Sequence, residues 1–173
     1  MSTPKVKPAL KHGYMRLGSI TRLHPRLQSL IKSLGYVGGS PLPVGTDLSR
    51  DSILPLLEVA PLHVTPINHG AYAVIGGLRQ FVLARHLLAD DDEVCVLIHE
   101  GRVNHESMMR RFAVEYVLLP VFAGYLDDGE VARRIGQLKE HLPEINFGSR
   151  EQLAQLLDIS LRSLASLHEK TDA

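Results

Sequence analysis

The sequence predicts an α+β protein, in which a small α/β domain is followed by an all-helical region. The chain has 173 residues and is 45% hydrophobic, which is enough for one main domain with a packed core. Its centre alternates short β-type runs with a helical stripe, and its last third is helical in pattern. The predicted division is a basic N-terminal arm over 1–50, the α/β domain over 51–102 and the helical region over 103–173.

The N-terminal arm stands apart by its charge. Residues 1–50 carry eight lysines and arginines against one acidic residue, whereas the whole chain has 19 of each sign and no net charge. The pattern over 1–20 has no sustained period and predicts loose order. A helix is predicted to begin at Pro25 and to end at Gly35, and a Gly/Pro loop follows it. A segment of one charge sign predicts local contact with a polyanion, and the alternative is an arm that is only solvated.

The centre of the chain has the order strand, turn, strand, helix, strand. The β-type runs are Leu62–Val64, Tyr72–Ile75 and Val94–Ile98, and Asn68-His69-Gly70 supplies the turn between the first two. The last run contains Cys95, the single cysteine of the chain, which excludes an internal disulfide and is expected to be a buried, inert thiol.

The junction between the second strand and the helix is the candidate binding site. It reads Gly76-Gly77-Leu78-Arg79-Gln80. The first N–H groups of a helix have no partner within the helix, glycines allow close approach to the backbone, and Arg79 and Gln80 add side-chain donors. This junction therefore predicts phosphate binding, with a tight turn and a solvated arginine as the alternative.

Residues 54–100 resemble the N-terminal domain of ParB-type partition proteins, a fold related to sulfiredoxin. The resemblance is carried, in order, by Pro61-Leu62-His63-Val64, Tyr72-Ala73-Val74-Ile75-Gly76-Gly77-Leu78-Arg79-Gln80, Ala84-Arg85 and Glu93-Val94-Cys95-Val96-Leu97-Ile98.

The resemblance implies a nucleotide-binding site for CTP with Mg²⁺, at which Gly76 or Gly77 and Arg79 hold the phosphates. The family's acidic motif position is Leu78 here, and its second arginine is Gln80. The family's downstream Glu-Asn-x-x-Arg signature keeps only its glutamate, Glu115. The catalytic cysteine that sulfiredoxin has beside its glycine pair is absent from this chain.

A helix-turn-helix is predicted at 149–168. Ser149 and Gln152 form a capping box, and Asp158 begins the turn before a second N-cap at Ser160. This spacing resembles the motif that partition proteins place after their nucleotide domain. The side chains predicted to contact DNA are Ser160, Arg162, Ser163 and Ser166. The alternative is a helical hairpin packed into a bundle.

The sequence lacks the motifs that are typical of a metal site or a membrane span. The nine histidines show no spacing of a metal site, so no metal is expected, and His63, His69, His99 and His105 are interpreted as scattered surface or loop residues. The acidic run 90–93 is expected to be a charged loop. No apolar stretch approaches the ~18 residues of a membrane span, which predicts a cytoplasmic protein without a membrane partner.

Three functions remain open at this point. The first is a DNA-associated regulatory or plasmid-partition-type protein, for which both a monomer and a homodimer stay open. The second is a nucleotide- or phosphate-using enzyme of the same fold, such as a CTPase or a nuclease. The third is an inert protein-interaction module.

Overall fold

The structure, a computed structural model, describes residues 10–35, 49–68, 70–101, 103–118 and 128–143. The chain divides into two compact units, of which the first ends at Met108 and the second begins at Met109. The predicted helix-turn-helix at 149–168 lies outside the described residues, together with Ser160, Arg162, Ser163 and Ser166. The predicted domain boundaries at 50 and 102 stay predictions.

The first unit is built on a five-stranded mixed sheet. Its strands are β1 (Leu10–Arg16), β2 (Ile20–Leu23), β3 (Leu62–Pro66), β4 (Tyr72–Gly76) and β5 (Glu93–His99). They lie in the order β1-β5-β3-β4-β2, so that β1 and β2 form the two edges. The β3–β5 and β2–β4 pairs are parallel, and the β1–β5 and β3–β4 pairs are antiparallel.

The helices described are α1 (Pro25–Ser33), α2 (Arg50–Val59), α3 (Leu78–Leu87), α4 (His105–Ala113) and α5 (Asp128–His141). A π-helical segment, Val114–Leu118, continues α4. The five strands and these helices agree with the predicted α+β class.

The central order of elements is confirmed. Strands β3, β4 and β5 and helix α3 lie where the apolar runs and the glycine pair predict them. Helix α1 begins at Pro25, and Gly35 follows it with a φ of +61°, the left-handed conformation that suits a glycine after a helix. Cys95 is buried in β5, as predicted.

The prediction of loose order over 1–20 is wrong for residues 10–20. This part of the chain contains β1, the start of β2 and the 3₁₀ turn Leu17–Ser19 between them. No side chain of β1 is buried: each is exposed or half-buried, and the strand lies at the edge of the sheet with one paired neighbour. Such an edge strand shows no apolar alternation in its sequence.

Helix α2 is absent from the sequence prediction because Pro55 lies inside it. A proline removes one helical hydrogen bond and is a standard signal of a helix end. Burial of Ile53 and Leu57 against the rest of the first unit outweighs that loss.

The turn between β1 and β2 limits the shape of the sheet. Strands β1 and β2 are four strand spacings apart in the sheet order, so in a flat sheet they would be separated by about 19 Å. Arg16 and Ile20 are four residues apart in the chain, and four residues reach at most about 14 Å. The sheet therefore curls, so that its two edges approach each other at this turn.

The second unit has a charged cluster beside an aromatic pair. Glu130 accepts hydrogen bonds from Arg133 at 2.6 Å and 2.8 Å and from Arg134 at 2.8 Å. Arg134 also donates to the carbonyl oxygen of Tyr116 at 2.7 Å and lies over the Tyr116 ring, which stacks on Phe112. One carboxylate thus holds together the first turn of α5 and the π-helical segment.

Glu130 makes this unit sensitive to acid. Its hydrogen bond from Arg133, followed by that from Arg134, lowers its pKa from 4.5 to about 2. The stabilisation is present above pH 4.5, the unfolded value, and is lost as the pH falls towards 2. We expect Glu130→Gln to lower the free energy of unfolding by about 1 kcal/mol at pH 7, with less difference from wild type at pH 3.

Urea denaturation followed by circular dichroism measures both values. The exposed Glu140 of the same helix provides the control, since Glu140→Gln changes the same charge away from the cluster. An equal loss in the two variants would contradict the assignment.

Candidate functional site

The glycine junction forms the predicted strand-to-helix turn. Gly76 ends β4, and Gly77 follows with φ +78° and ψ +40°. The first hydrogen bond of α3 then runs from the N–H of Phe81 to the carbonyl oxygen of Gly77 at 2.9 Å. The structure therefore brings Gly76, Gly77, Arg79 and Gln80 together at the N-terminus of one helix.

The charge around this turn favours an anion. Arg79 and Gln80 are half-buried in the first turn of α3, which contains no acidic residue. The helix dipole places partial positive charge at the same end. These features are compatible with phosphate binding, which stays a prediction.

The presence of glycine at position 77 has a structural explanation that does not involve a ligand. A Cβ atom built at this position would lie 3.3 Å from Cδ2 of Leu62 and 3.4 Å from its Cα. The left-handed φ and this contact with the start of β3 both demand glycine. The glycine is thus explained by the close packing of the helix start on the sheet, whether or not a ligand binds.

Two histidines that the sequence leaves unconnected lie beside the junction. His63 is in register with Gly76 across the β3–β4 pair, and its Nδ1 lies 2.9 Å from Nε2 of the buried His99. Thr65 donates to the carbonyl oxygen of His99 at 3.3 Å. The interpretation of these two histidines as scattered surface or loop residues is wrong. A separation of 36 residues hid the contact, and only the β3–β5 pairing reveals it.

Chemically, the two rings share one hydrogen bond. One ring nitrogen donates and the other accepts, so a single proton lies between them. No group of three or more possible ligands forms a metal site within the described ranges.

Cys95 has the properties of a structural thiol. Burial raises its pKa, and the nearby carboxylate of Glu58 adds to this effect. Its Sγ lies 3.0 Å from Nε2 of His12, a residue of the neighbouring strand β1. Since the thiolate is the reactive form, a raised pKa disfavours nucleophilic chemistry here.

The acidic run 90–93 is engaged by basic side chains and backbone groups. Arg50 contacts Asp92 at 2.7 Å, and Arg85 contacts Asp90 at 2.6 Å. The hydrogen bond from Arg50 lowers the pKa of Asp92, and the N–H of Ala89 contributes to the shift. The loop joins α3 to β5 and anchors the start of α2, as expected of a charged loop.

The N-terminal strands and α1 carry a second candidate surface. Over the described residues 10–35 there are five lysines and arginines and no acidic residue, and all five side chains are exposed: Lys11, Arg16, Arg22, Arg26 and Lys32. None of them forms an ion pair with another residue that the structure describes. We call these five residues the basic surface.

Arginines elsewhere are engaged within the chain. Arg133 and Arg134 both bind Glu130. Arg111 is half-buried, and burial lowers its pKa.

No family model matches the chain, and no curated protein matches it in sequence. Among solved structures, it is similar to the C-terminally truncated chromosome-partitioning protein ParB from Caulobacter crescentus, complexed with CTP-γ-S. The TM-score is 0.34 and the identity 14%, over 90% of this chain and 75% of that one. A TM-score of this size does not assign a fold, so the proposals below depend on the residues of this chain. No helix among the described residues is long and apolar enough to cross a membrane.

The packing of Gly77 gives a direct prediction. We expect Gly77→Ala to lower the free energy of unfolding by about 2 kcal/mol or more, because alanine meets both a strained φ and the Leu62 contact. Gly35→Ala is the matched control, because Gly35 also has a positive φ but nothing within 4 Å of a built Cβ. It should cost about 1 kcal/mol. Chemical denaturation compares the two, and an equal cost would show that packing against Leu62 adds nothing.

Proposed function

We propose that this protein associates with DNA through the basic surface. The observation that carries the proposal is the combination of five exposed basic side chains with no acidic residue over 10–35. Phosphate contacts from lysine and arginine supply most non-specific affinity for DNA. A chain with zero net charge gains such affinity only where its charges are segregated, as they are here.

The fold brings these charges closer than the strand order suggests. Lys11 and Arg16 lie on one edge strand, and Arg22 lies on the other. Because the turn over 17–19 forces the two edges together, Arg16 and Arg22 lie within reach of one polyanion. Arg26 and Lys32 extend the surface along α1.

The acidic residues near the turn over 17–19 leave the basic surface available to a ligand. Glu93 is in register with Arg16 across the β1–β5 pair, but the two side chains form no ion pair. Asp90 and Asp92, at the adjacent loop, are bound by Arg85 and Arg50. The acidic charges nearest the turn are therefore partly neutralised by other arginines.

A regulatory or partition-type role in the cytoplasm is the setting that we infer from the resemblance of residues 54–100. In this proposal the basic surface positions the protein on the phosphate backbone. Arg162 and the serines of the predicted helix-turn-helix would supply contacts to bases.

Salt dependence tests the proposal. Fluorescence anisotropy with a labelled duplex should show that the logarithm of the association constant falls linearly with the logarithm of the salt concentration. The triple variant Arg22→Gln, Arg26→Gln, Lys32→Gln should reduce the slope by about 2 to 3, since each lost phosphate contact removes about 0.9.

The matched control has the same change in charge at other sites. It combines Arg110→Gln, Arg133→Gln and Lys139→Gln, three exposed side chains that lie outside both the basic surface and the acidic loop. It should leave the slope close to wild type. Absence of binding at low salt, or an equal loss in both triple variants, would overturn the proposal.

The second candidate function is nucleotide or phosphate binding at the Gly76–Gln80 junction. The left-handed Gly77 at the start of α3 and a first turn without acidic residues favour it. This is the site at which the resemblance places CTP.

Thermal denaturation with CTP, with and without Mg²⁺, tests this second function. A ligand that binds only the folded state raises Tm, and Arg79→Ala should abolish the rise. Arg85→Ala is the control, because Arg85 lies near the opposite end of the same helix. Unchanged Tm with every nucleotide tested, or an undiminished rise in Arg79→Ala, would exclude the junction as the site.

A further inference from the structure

Strand β1 exposes an apolar and aromatic row at the edge of the sheet. Leu10, His12 and Tyr14 are alternate residues, so they share one face of the strand. Leu10 is 55% exposed, Tyr14 is 57% exposed, and His12 is also exposed. From Leu10 to Tyr14 the row is about 14 Å long.

The two rings of this row are held in a defined arrangement. The centroids of His12 and Tyr14 are 6.0 Å apart, and the ring planes are nearly perpendicular at 87°. Nε2 of His12 is fixed by Sγ of the buried Cys95 at 3.0 Å. The His12 ring is therefore held against β5, and the Tyr14 ring lies against His12, so a ligand that stacks on His12 has less side-chain motion to arrest.

Positive charge flanks the row. Arg16 continues the row on the same face at the end of β1, and Arg22 is brought near by the turn over 17–19. Lys11 lies on the opposite face of the strand. β1 itself contains no acidic residue, and one acidic residue of β5, Glu93, is in register with Arg16. A ligand that suits this arrangement has flat apolar faces together with regularly spaced negative charges.

Nucleic acid has both properties. Whether a single strand or a duplex fits the row depends on which of them exposes the faces of its bases. In a duplex the base faces are stacked inside and only the base edges are exposed. A side chain reaches a base face in a duplex only by unstacking a base step, which costs a few kcal/mol, whereas the bases of an unpaired strand expose their faces. An exposed tyrosine beside cations is thus suited to a single strand.

We propose that the row Leu10, His12 and Tyr14 binds single-stranded nucleic acid, with bases stacked on Tyr14 and His12 and phosphates held by Arg16 and Arg22. This inference rests on the proposed function and deepens it, because it names the form of nucleic acid that the basic surface receives. It assigns a role to Tyr14, which has no part in the glycine junction.

The test compares one strand with its duplex. Binding of the full-length protein to a labelled oligodeoxythymidine of about ten nucleotides is measured by anisotropy, beside a duplex of equal length. Tyr14→Ala should weaken binding to the single strand about tenfold, and Tyr14→Phe, which keeps the ring, should bind as wild type does. Leu56→Ala, an exposed apolar residue on α2, is the control and should have no effect.

The outcomes separate this inference from the proposed function. Salt-sensitive duplex binding without affinity for the single strand would overturn the inference and leave DNA association standing. An equal loss in Tyr14→Phe and Tyr14→Ala would also overturn it, because stacking requires only the ring. Light scattering gives the last outcome: if Tyr14→Ala dissociates a dimer and leaves affinity for the single strand unchanged, a second copy covers the row and the inference is wrong.

Discussion

The three-residue turn between the two edge strands is the constraint on which the first unit depends. Its path is fixed by hydrogen bonds from the N–H of Leu17 to the carbonyl oxygen of Asp92 at 2.9 Å and from that of Gly18 to Asp90 at 2.8 Å. A Cβ at Gly18 would lie 3.1 Å from the Cβ and the carbonyl oxygen of Asp90, so a larger residue fits only if the turn and the acidic loop shift slightly apart. Because the acidic loop is itself held by Arg50 and Arg85, it fixes where the basic segment crosses from one edge of the sheet to the other.

The sequence patterns predict the interior of the sheet and fail at its edges, for a physical reason. Strands β3, β4 and β5 are largely buried, so their sequences are apolar runs, and glycines mark the turns between them. Strand β1 has one neighbour and solvent on its other side, so nothing requires apolar alternation there. Helix α2 is hidden by Pro55, and the contact between His63 and His99 depends on a strand pairing that no local pattern encodes.

The candidate junction shows how one local structure serves two requirements. A turn that leaves a strand and opens a helix needs a left-handed residue and close approach to the sheet, and Gly77 meets both needs against Leu62. The start of a helix is also a place where proteins bind anions, and anion binding at this junction stays a prediction. Sequence motifs of this kind therefore predict the turn reliably, whereas ligand binding has to be argued from the side chains around it, here Arg79 and Gln80.

Edge protection alone does not account for the composition of β1. Lysine and arginine on an exposed edge strand hinder pairing with another chain, and Lys11 and Arg16 are suited to that task. A strand selected only for this purpose has no need of Leu10 and Tyr14 more than half exposed on one face, since exposed apolar residues favour association. The two features become compatible if the surface receives a ligand that is apolar on its faces and anionic along its backbone. The basic residues then exclude a second strand of protein and attract a strand of nucleic acid.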